Sequence, residues 1–320
     1  MRRRLLGRLW QSLIVVFTVA TISFFLIRAA PGDPFSYEGI GISPAIREQW
    51  RHQSGYNRPL AEQYVRYLGN IAHGRFGYSV RWHDSVSSVL AWAVPRTLLL
   101  TGLALALSLV LGVIIGVLQA AHRNGWFDRV SSGVLLTLYS LPDFWGALMA
   151  MLIFAFWWPI LPPGGIVDPT MHDYMGPWRA AADRIQHLIL PVGSLTLMIM
   201  AGITRFQRAA MLEILPADYV RTARAKGLPE RRVIWRHGLR TALTPRSVIV
   251  GVMFPALLGG ALFVEKVFQW PGMGFVAASA ISTRDYDLVV ATVVVGSVMV
   301  VLGNLIADLL HAAIDPRLRE

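Results

Sequence analysis

Pro216-Ala-Asp-Tyr-Val-Arg-Thr-Ala-Arg-Ala-Lys-Gly227-Leu-Pro229 opens a polar stretch that runs through a basic segment to Pro245. It lies between two hydrophobic stretches, so its reading decides the fold. Pro216 suits the first turn of a helix, where a missing N–H costs nothing. Ala223 and Ala225 favour helix, and Gly227 is a good left-handed stop. Pro229 then opens a second short helix. The stretch is expected to be a compact helical hairpin on one face of a membrane protein.

The surrounding composition sets the class. The 320 residues are 54% hydrophobic, with a mean hydropathy of +0.49, which is a membrane composition rather than a soluble one. Five stretches are long and uncharged: Leu9–Ile27, Thr97–Ala121, Phe144–Leu161, Ser247–Val264 and Leu288–Ala307. A sixth, Leu188–Thr204, is shorter, and the third is expected to begin near Ser131 with Asp143 inside it. A span needs roughly 20 apolar residues, fewer where flanking side chains snorkel. Six transmembrane helices follow. The first is read as a retained anchor, because its uncharged core exceeds the roughly 15 residues of a signal-peptide core. Cysteine is absent, which excludes disulfide and thiol chemistry.

Charge placement gives the orientation. With the N-terminus inside, segments 1–8, 122–129, 205–246 and 308–320 are internal; they hold 4, 2, 10 and 2 Lys or Arg, 18 of the chain's 30. The short external loops 162–187 and 265–287 hold 2 each. The long segment 28–96 holds 8, but loops above roughly 60 residues escape the positive-inside rule. Both termini and the hairpin are therefore expected in the cytoplasm, and the net charge of +11 suits an anionic inner leaflet better than a nucleic-acid partner. The chain divides into residues 1–30 with the first span, an external subdomain at 31–96, and a core at 97–320 carrying the hairpin 212–245. Ser43–Gln53 and Leu60–Ala72 read as short helices of the external part.

The hairpin resembles the EAA loop of binding-protein-dependent ABC-importer permeases. Arg221-Thr222-Ala223 stand in the Glu-Ala-Ala places and Gly227 in the Gly place. The departure at the Glu fits the B-type subunits of the dipeptide/oligopeptide/nickel branch, whose pattern continues here as His237-Gly-Leu-Arg-Thr-Ala-Leu-Thr-Pro245, with Thr241 where Asn is usual. Further matches to that branch lie at Arg28-Ala-Ala-Pro31-Gly32-Asp33-Pro34, Gly55-Tyr-Asn-Arg58-Pro59-Leu60 and Gly74-Arg75-Phe76-Gly77. Others are Pro95-Arg96-Thr97, Ser140-Leu-Pro142, Glu265-Lys-Val-Phe268-Gln-Trp-Pro271-Gly272-Met-Gly274 and Asp315-Pro316-Arg317. The resemblance implies an all-α type I ABC-importer permease fold in the bacterial inner membrane. It also implies a second homologous permease subunit, two ATPase subunits and an external solute-binding protein that delivers di- or oligopeptides.

No cofactor is expected on this chain. There is no G-x-x-x-x-G-K-[ST] loop, and the lysines are Lys226 and Lys266, so nothing cradles ATP phosphates. ATP and Mg would sit on the partner ATPases, and the chain is not an enzyme. Tyr219, Arg221, Ala223, Arg224, Lys226, Gly227 and Leu228 are the residues expected to couple to the ATPase. Tyr219, Ala223 and Gly227 share a face at i, i+4, i+8, and the cations would meet acidic rims on the partner. The plain alternative is a basic amphipathic segment on anionic lipid.

Other positions carry two readings each. Asp143 either lines the translocation pathway and attracts a cationic group, or follows a break at Pro142 and caps the next segment. Glu265, Pro271, Gly272 and Gly274 form an outer gate or binding-protein docking surface, or an ordinary turn stiffened by Pro271. Arg28 pairs with Asp33 or snorkels at the interface. The histidines show no ligand spacing, so no metal site is expected. The competing function is an ion-gradient-driven secondary transporter or channel. That class leads one to expect several intramembrane ionisable groups and often repeated halves, neither of which this sequence displays.

Overall fold

The computed structural model describes residues 2–29, 57–79, 81–243 and 261–314. In chain order the helices are α1 (Arg2–Ala29), α2 (Leu60–Ala72), α3 (Val86–Ala121), α4 (Trp126–Ser140), α5 (Asp143–Met151), α6 (Pro177–Ile214), α7 (Asp218–Ala225), α8 (Glu230–Arg232), α9 (Leu239–Leu243), α10 (Met273–Ser282) and α11 (Tyr286–Ile314). Wider π turns continue α5 through Leu152–Trp157 and join α8 to α9 through Val233–Gly238. A small antiparallel ladder pairs β1 (Tyr78–Ser79) with β2 (Asp84–Ser85), in the register Tyr78 to Ser85 and Ser79 to Asp84.

Four helices are long and apolar enough to cross a membrane: Gly7–Ala29, Val86–Ala121, Pro177–Ile214 and Tyr286–Ile306. A fifth span results if α4 and Asp143–Trp157 count as one, but the two are bent by 107° at Leu141-Pro142. The expected continuous third span is thus broken. Pro142 has no N–H to continue the ladder, and it holds Leu141 in an extended conformation. The expected span Ser247–Val264 and the helix Ser43–Gln53 fall on, or mostly on, residues outside those described. The helix expected at Leu60–Ala72 is present with those bounds. At 36 and 38 residues, α3 and α6 are about 54 and 57 Å long, well beyond the hydrocarbon thickness, so both carry helical ends out of the bilayer.

Among the described residues, those up to Pro95 and from Phe275 to Val301 form one compact unit; those from Arg96 to Gly274 and from Leu302 onward form another. In the first unit, α2 lies on α1 through aromatic rings. Phe24 packs 5.3 Å from Tyr64 and 5.1 Å from Tyr67, centroid to centroid. The Tyr67 hydroxyl donates to Ala20 O at 3.0 Å. Burial, with Tyr64 nearby, pushes that hydroxyl up to about 12, so it remains a donor. The hairpin β1–β2 is tied to the start of α11. Ser79 Oγ donates to Asp285 Oδ2 at 2.5 Å, while Asp285 Oδ1 accepts from Leu288 N at 3.3 Å as a helix cap.

In the second unit, the core between α3, α5, α6 and residues 264–270 is built from Leu100, Ala104, Ala147, Leu190, Leu195, Val264, Phe268 and Trp270. Below it α3 approaches α6 along Gly112 and Gly116, whose spacing of four puts both on one face. A Cβ on Gly112 would lie 2.8 Å from Ile203 Cγ2; on Gly116 it would lie 2.6 Å from Gln207 Cβ and 2.8 Å from Thr204 O. Gly102, on the same helix, faces open space. Gly116→Val is therefore expected to force the helices apart and cost about 1–3 kcal/mol, read as a lower Tm of the detergent-solubilised protein. Gly102→Val should leave the Tm unchanged, and equal Tm values for the two variants would refute the seam.

Candidate functional site

The polar hairpin grows out of the end of α6. Leu215 and Ala217 close the last turn on Met211 O (2.9 Å) and Ile214 O (3.0 Å). Pro216 sits in this connecting turn, not in the first turn of α7 as its type suggests, because Ala217 is the extended residue that precedes the helix. Asp218 fills the first turn, where its charge suits the positive end of the helix. Gly227 ends α7 with φ +75. Leu228 N donates to Ala223 O at 3.4 Å and Gly227 N to Arg224 O at 2.9 Å, the paired bonds of a Schellman stop, with Leu228 packed on the same small core as Ala223. Pro229 then precedes α8, where Arg232 N and Val233 N bond to Pro229 O.

The hairpin has its own core. Val220, Ala223 and Val233 are buried against Ile214, Ala217 and Leu228. Its root is a second cluster, in which Met211 and Ala242 meet Val117 and Ala120 of α3, with Leu212 and Leu215 beside them. Of the face expected to meet a partner, Tyr219 is 45% exposed and Gly227 is exposed, but Ala223 faces inward and shapes the hairpin. Arg224 spans the turn: Nη2 lies 2.8 Å from Glu230 Oε1, Nε lies 3.1 Å from Glu230 Oε2, and Nη1 donates to Leu215 O at 3.2 Å. Its guanidinium thus braces the hairpin from within, while the side chain stays 40% exposed. Arg221, 3.4 Å from Asp218, and Lys226 present exposed positive charge.

The turn after residue 264 is built inward. Glu265 is fully buried and accepts from Thr97 Oγ1 at 2.6 Å; Met273 N donates to the same Thr97 oxygen at 2.7 Å. Trp270 N closes on Glu265 O at 2.8 Å, and the Trp270 indole donates to Arg96 O at 3.1 Å. Gly272 touches this pair so closely that a Cβ would collide with Glu265 Oε1 and Thr97 Oγ1. A Cβ on Gly274 would collide with the Leu262 backbone. Pro271 and Gly274 are half-buried and Gly272 is buried, so these residues set the turn's shape; Lys266 and Gln269 form its exposed surface.

Asp143 stands in the exposed first turn of α5, directly after the break at Pro142. The break of the second reading is therefore present, and the N-cap position is held by Pro142, whose side chain has no group to cap with. Two scattered histidines are brought together as the sequence did not suggest. Asp183, buried near the start of α6, takes His172 Nδ1 at 2.6 Å and His187 Nδ1 at 3.1 Å, and accepts from Asp168 N at 3.1 Å. Asp168 bonds back to Thr170 and Met171, which holds its own carboxyl below the usual range. Among the described residues no group of three or more His, Asp or Glu side chains is arranged to hold a metal ion. Asp33, expected near Arg28, lies outside the described residues.

Two outcomes follow from this geometry. Thr97→Val removes a donor to a buried carboxylate and the acceptor for Met273 N, at a cost of about 1–3 kcal/mol; a thermal scan should show it, with Thr283→Val, on an exposed helix end, as the neutral control. The Glu230 carboxyl is held below its ordinary 4.5 by the Arg224 hydrogen bond. A depressed folded value means the pair contributes above pH 4.5 and is lost as pH falls through the lower folded value. Amide protection in Asp218–Arg232 should then drop in strong acid more in the wild type than in Glu230→Gln, by a modest amount because the pair is exposed.

Residues 108–320 match the family described as binding-protein-dependent transport system inner membrane component, and residues 1–101 match the family of N-terminal segments of such components. The oligopeptide transport system permease protein AppB of Bacillus subtilis is 38% identical over 319 residues, covering 98% of both chains. OppB of Haemophilus influenzae, an oligopeptide permease, is 36% identical and covers 98% of this chain and 97% of its own. The dipeptide transport system permease protein DppB of Escherichia coli K12 is 34% identical over 99% of this chain and 98% of its own. The inward-facing MetNI methionine ABC transporter shares the fold, with a TM-score of 0.55 at 19% identity over 71% of this chain and 96% of that one. The chain, a multi-pass inner-membrane protein, belongs to the family of binding-protein-dependent transport system inner membrane components.

Proposed function

We propose that this chain forms half of the translocation pathway of an ATP-driven importer of di- or oligopeptides. It pairs with a second homologous permease subunit, two ATPase subunits that carry ATP and Mg, and an external solute-binding protein. Peptide specificity is the activity named for the three full-length relatives above. The observation that carries the reading is the hairpin: a self-packed knuckle at the end of α6, closed by Gly227 in a left-handed conformation and presenting Tyr219, Arg221 and Lys226 outward. Such a knuckle fits a cleft on an ATPase better than a lipid surface, because Val220, Ala223 and Val233 are turned into its own core and, among the described residues, only Tyr219 and Trp235 of its large apolar side chains stand exposed. In this reading the hairpin and both termini lie in the cytoplasm, which the excess of Lys and Arg in those segments supports.

The work is mechanical. Closure of the ATPase pair moves the hairpins as rigid bodies, and the packed helices above them switch the pathway between inward- and outward-facing arrangements. Asp143, exposed at the α4–α5 break, attracts the amino group of a passing peptide. The outer turn held by Glu265, Gly272 and Gly274 closes the pathway or offers Lys266 and Gln269 to the binding protein.

Gly227 gives the sharpest test. A Cβ there meets nothing within 4 Å, so a substitution acts through backbone strain alone. Gly227→Val should insert in the membrane yet lose ATP-driven uptake, while Gly227→Asn, which tolerates the left-handed conformation, should retain most of it. Equal uptake by both variants would sink the coupling role. For Asp143→Asn, uptake of peptides with a free amino terminus should fall relative to N-acetylated ones; an unchanged ratio would remove it from the pathway.

A further inference from the structure

Three contacts hold the lower ends of α3, α4 and α6 together. The Gly112–Gly116 seam joins α3 to α6. Gln119, 1% exposed, donates to Ser131 Oγ at 2.8 Å and joins α3 to α4. Arg208 of α6 forks onto Asp128 of α4, Nε to Oδ1 at 2.7 Å and Nη2 to Oδ2 at 2.8 Å. Asp128 is 3% exposed and also accepts from Asn124 N at 2.9 Å and Ser132 Oγ at 3.4 Å. Arg208 lies one helical turn before Met211, where the root of the hairpin begins. Asp128 lies on the helix that leads through Leu141-Pro142 to Asp143.

These contacts differ in kind. Elsewhere α4 meets α6 through the Arg205 guanidinium, 5.3 Å from the Tyr139 ring centroid, and through Leu135 against Met200 and Ala201, an apolar surface. Such a surface resists separation but does not set direction, because apolar attraction has none. A guanidinium fork on a carboxylate fixes both distance and orientation. A buried ion pair adds little net stability over an apolar pair of equal volume, so stability does not account for it.

We propose that Asp128–Arg208 is a positioning strut that delivers displacement of the hairpin to α4 and so to the break at Leu141-Pro142. The inference rests on the coupling role proposed above for the hairpin. Without the fork, α6 still moves with the hairpin, but α4 lags and the stroke is dissipated in sliding of the Leu135 contact.

The absence of cysteine allows a direct test. Spin labels at Ala225→Cys, on the exposed hairpin surface, and at Val134→Cys, 54% exposed on α4, report one distance in the assembled complex. The distribution should be narrow in the otherwise native chain and broaden in Asp128→Asn. Arg208→Lys, which keeps the charge but not the fork, should broaden it too. The exchanged pair Asp128→Arg with Arg208→Asp should narrow it again. In proteoliposomes with the ATPases and binding protein, the single variants should still hydrolyse ATP but take up about tenfold less tri-alanine per ATP, the order of an inter-site coupling; the exchanged pair should recover it. An unchanged distribution together with unchanged uptake per ATP in Arg208→Lys would overturn the strut. Broadening in the variants of a complex whose native form takes up nothing would instead overturn the transport reading and leave the strut standing.

Discussion

The approach of α3 to α6 through Gly112 and Gly116 governs the lower half of the second unit. Without a Cβ at either position, Ile203, Thr204 and Gln207 come against the α3 backbone. Helices in lipid gain little from apolar burial against one another, so intimate packing has to supply the contact energy. That closeness brings Val117 and Ala120 onto Met211 and Ala242, which fixes where the hairpin leaves α6. It also puts Gln119 within reach of Ser131. A wider seam would leave the hairpin without a root and its basic surface without a fixed position.

The two ends of this unit solve opposite problems. On the hairpin side, residues are folded inward so that a few polar ones stand outward on a stiff base. Arg224 illustrates the division: its charge is used to brace the turn through Glu230 and Leu215 O. At the other end the turn after residue 264 buries its carboxylate, and two glycines let the chain close over it. There the motif residues act on shape, and the exposed chemistry falls to neighbours that the motif does not mark.

The sequence was most informative where structure is local. The bounds of Leu60–Ala72, the stop at Gly227 and the break at Pro142 follow from propensity, handedness and a missing N–H, all properties of a few adjacent residues. Helical periodicity placed Ala223 and Tyr219 on one stripe but could not say that the stripe's centre would be consumed by Val233, which returns from the second arm. Contacts across long sequence separations left no mark. Nothing in the string joins Thr97 to Glu265, 168 residues later, or assembles His172 and His187 on Asp183. Nothing local to Asp128 or to Arg208 marks the other as its partner, 80 residues away.

The 107° bend between α4 and α5 has a consequence for solvation. Each arm is about 22 Å long, shorter than the hydrocarbon layer, so neither crosses alone. At the corner Leu141 N closes on Leu138 O, and Trp145 N and Gly146 N close on Pro142 O, which leaves the remaining end groups, the amides of Asp143 and Phe144 among them, without helical partners. Bare peptide groups do not persist against acyl chains. The corner must be hydrated or covered by protein, and a hydrated wedge reaching Asp143 would let an ion or a polar solute travel part of the way across before any large helix motion is required.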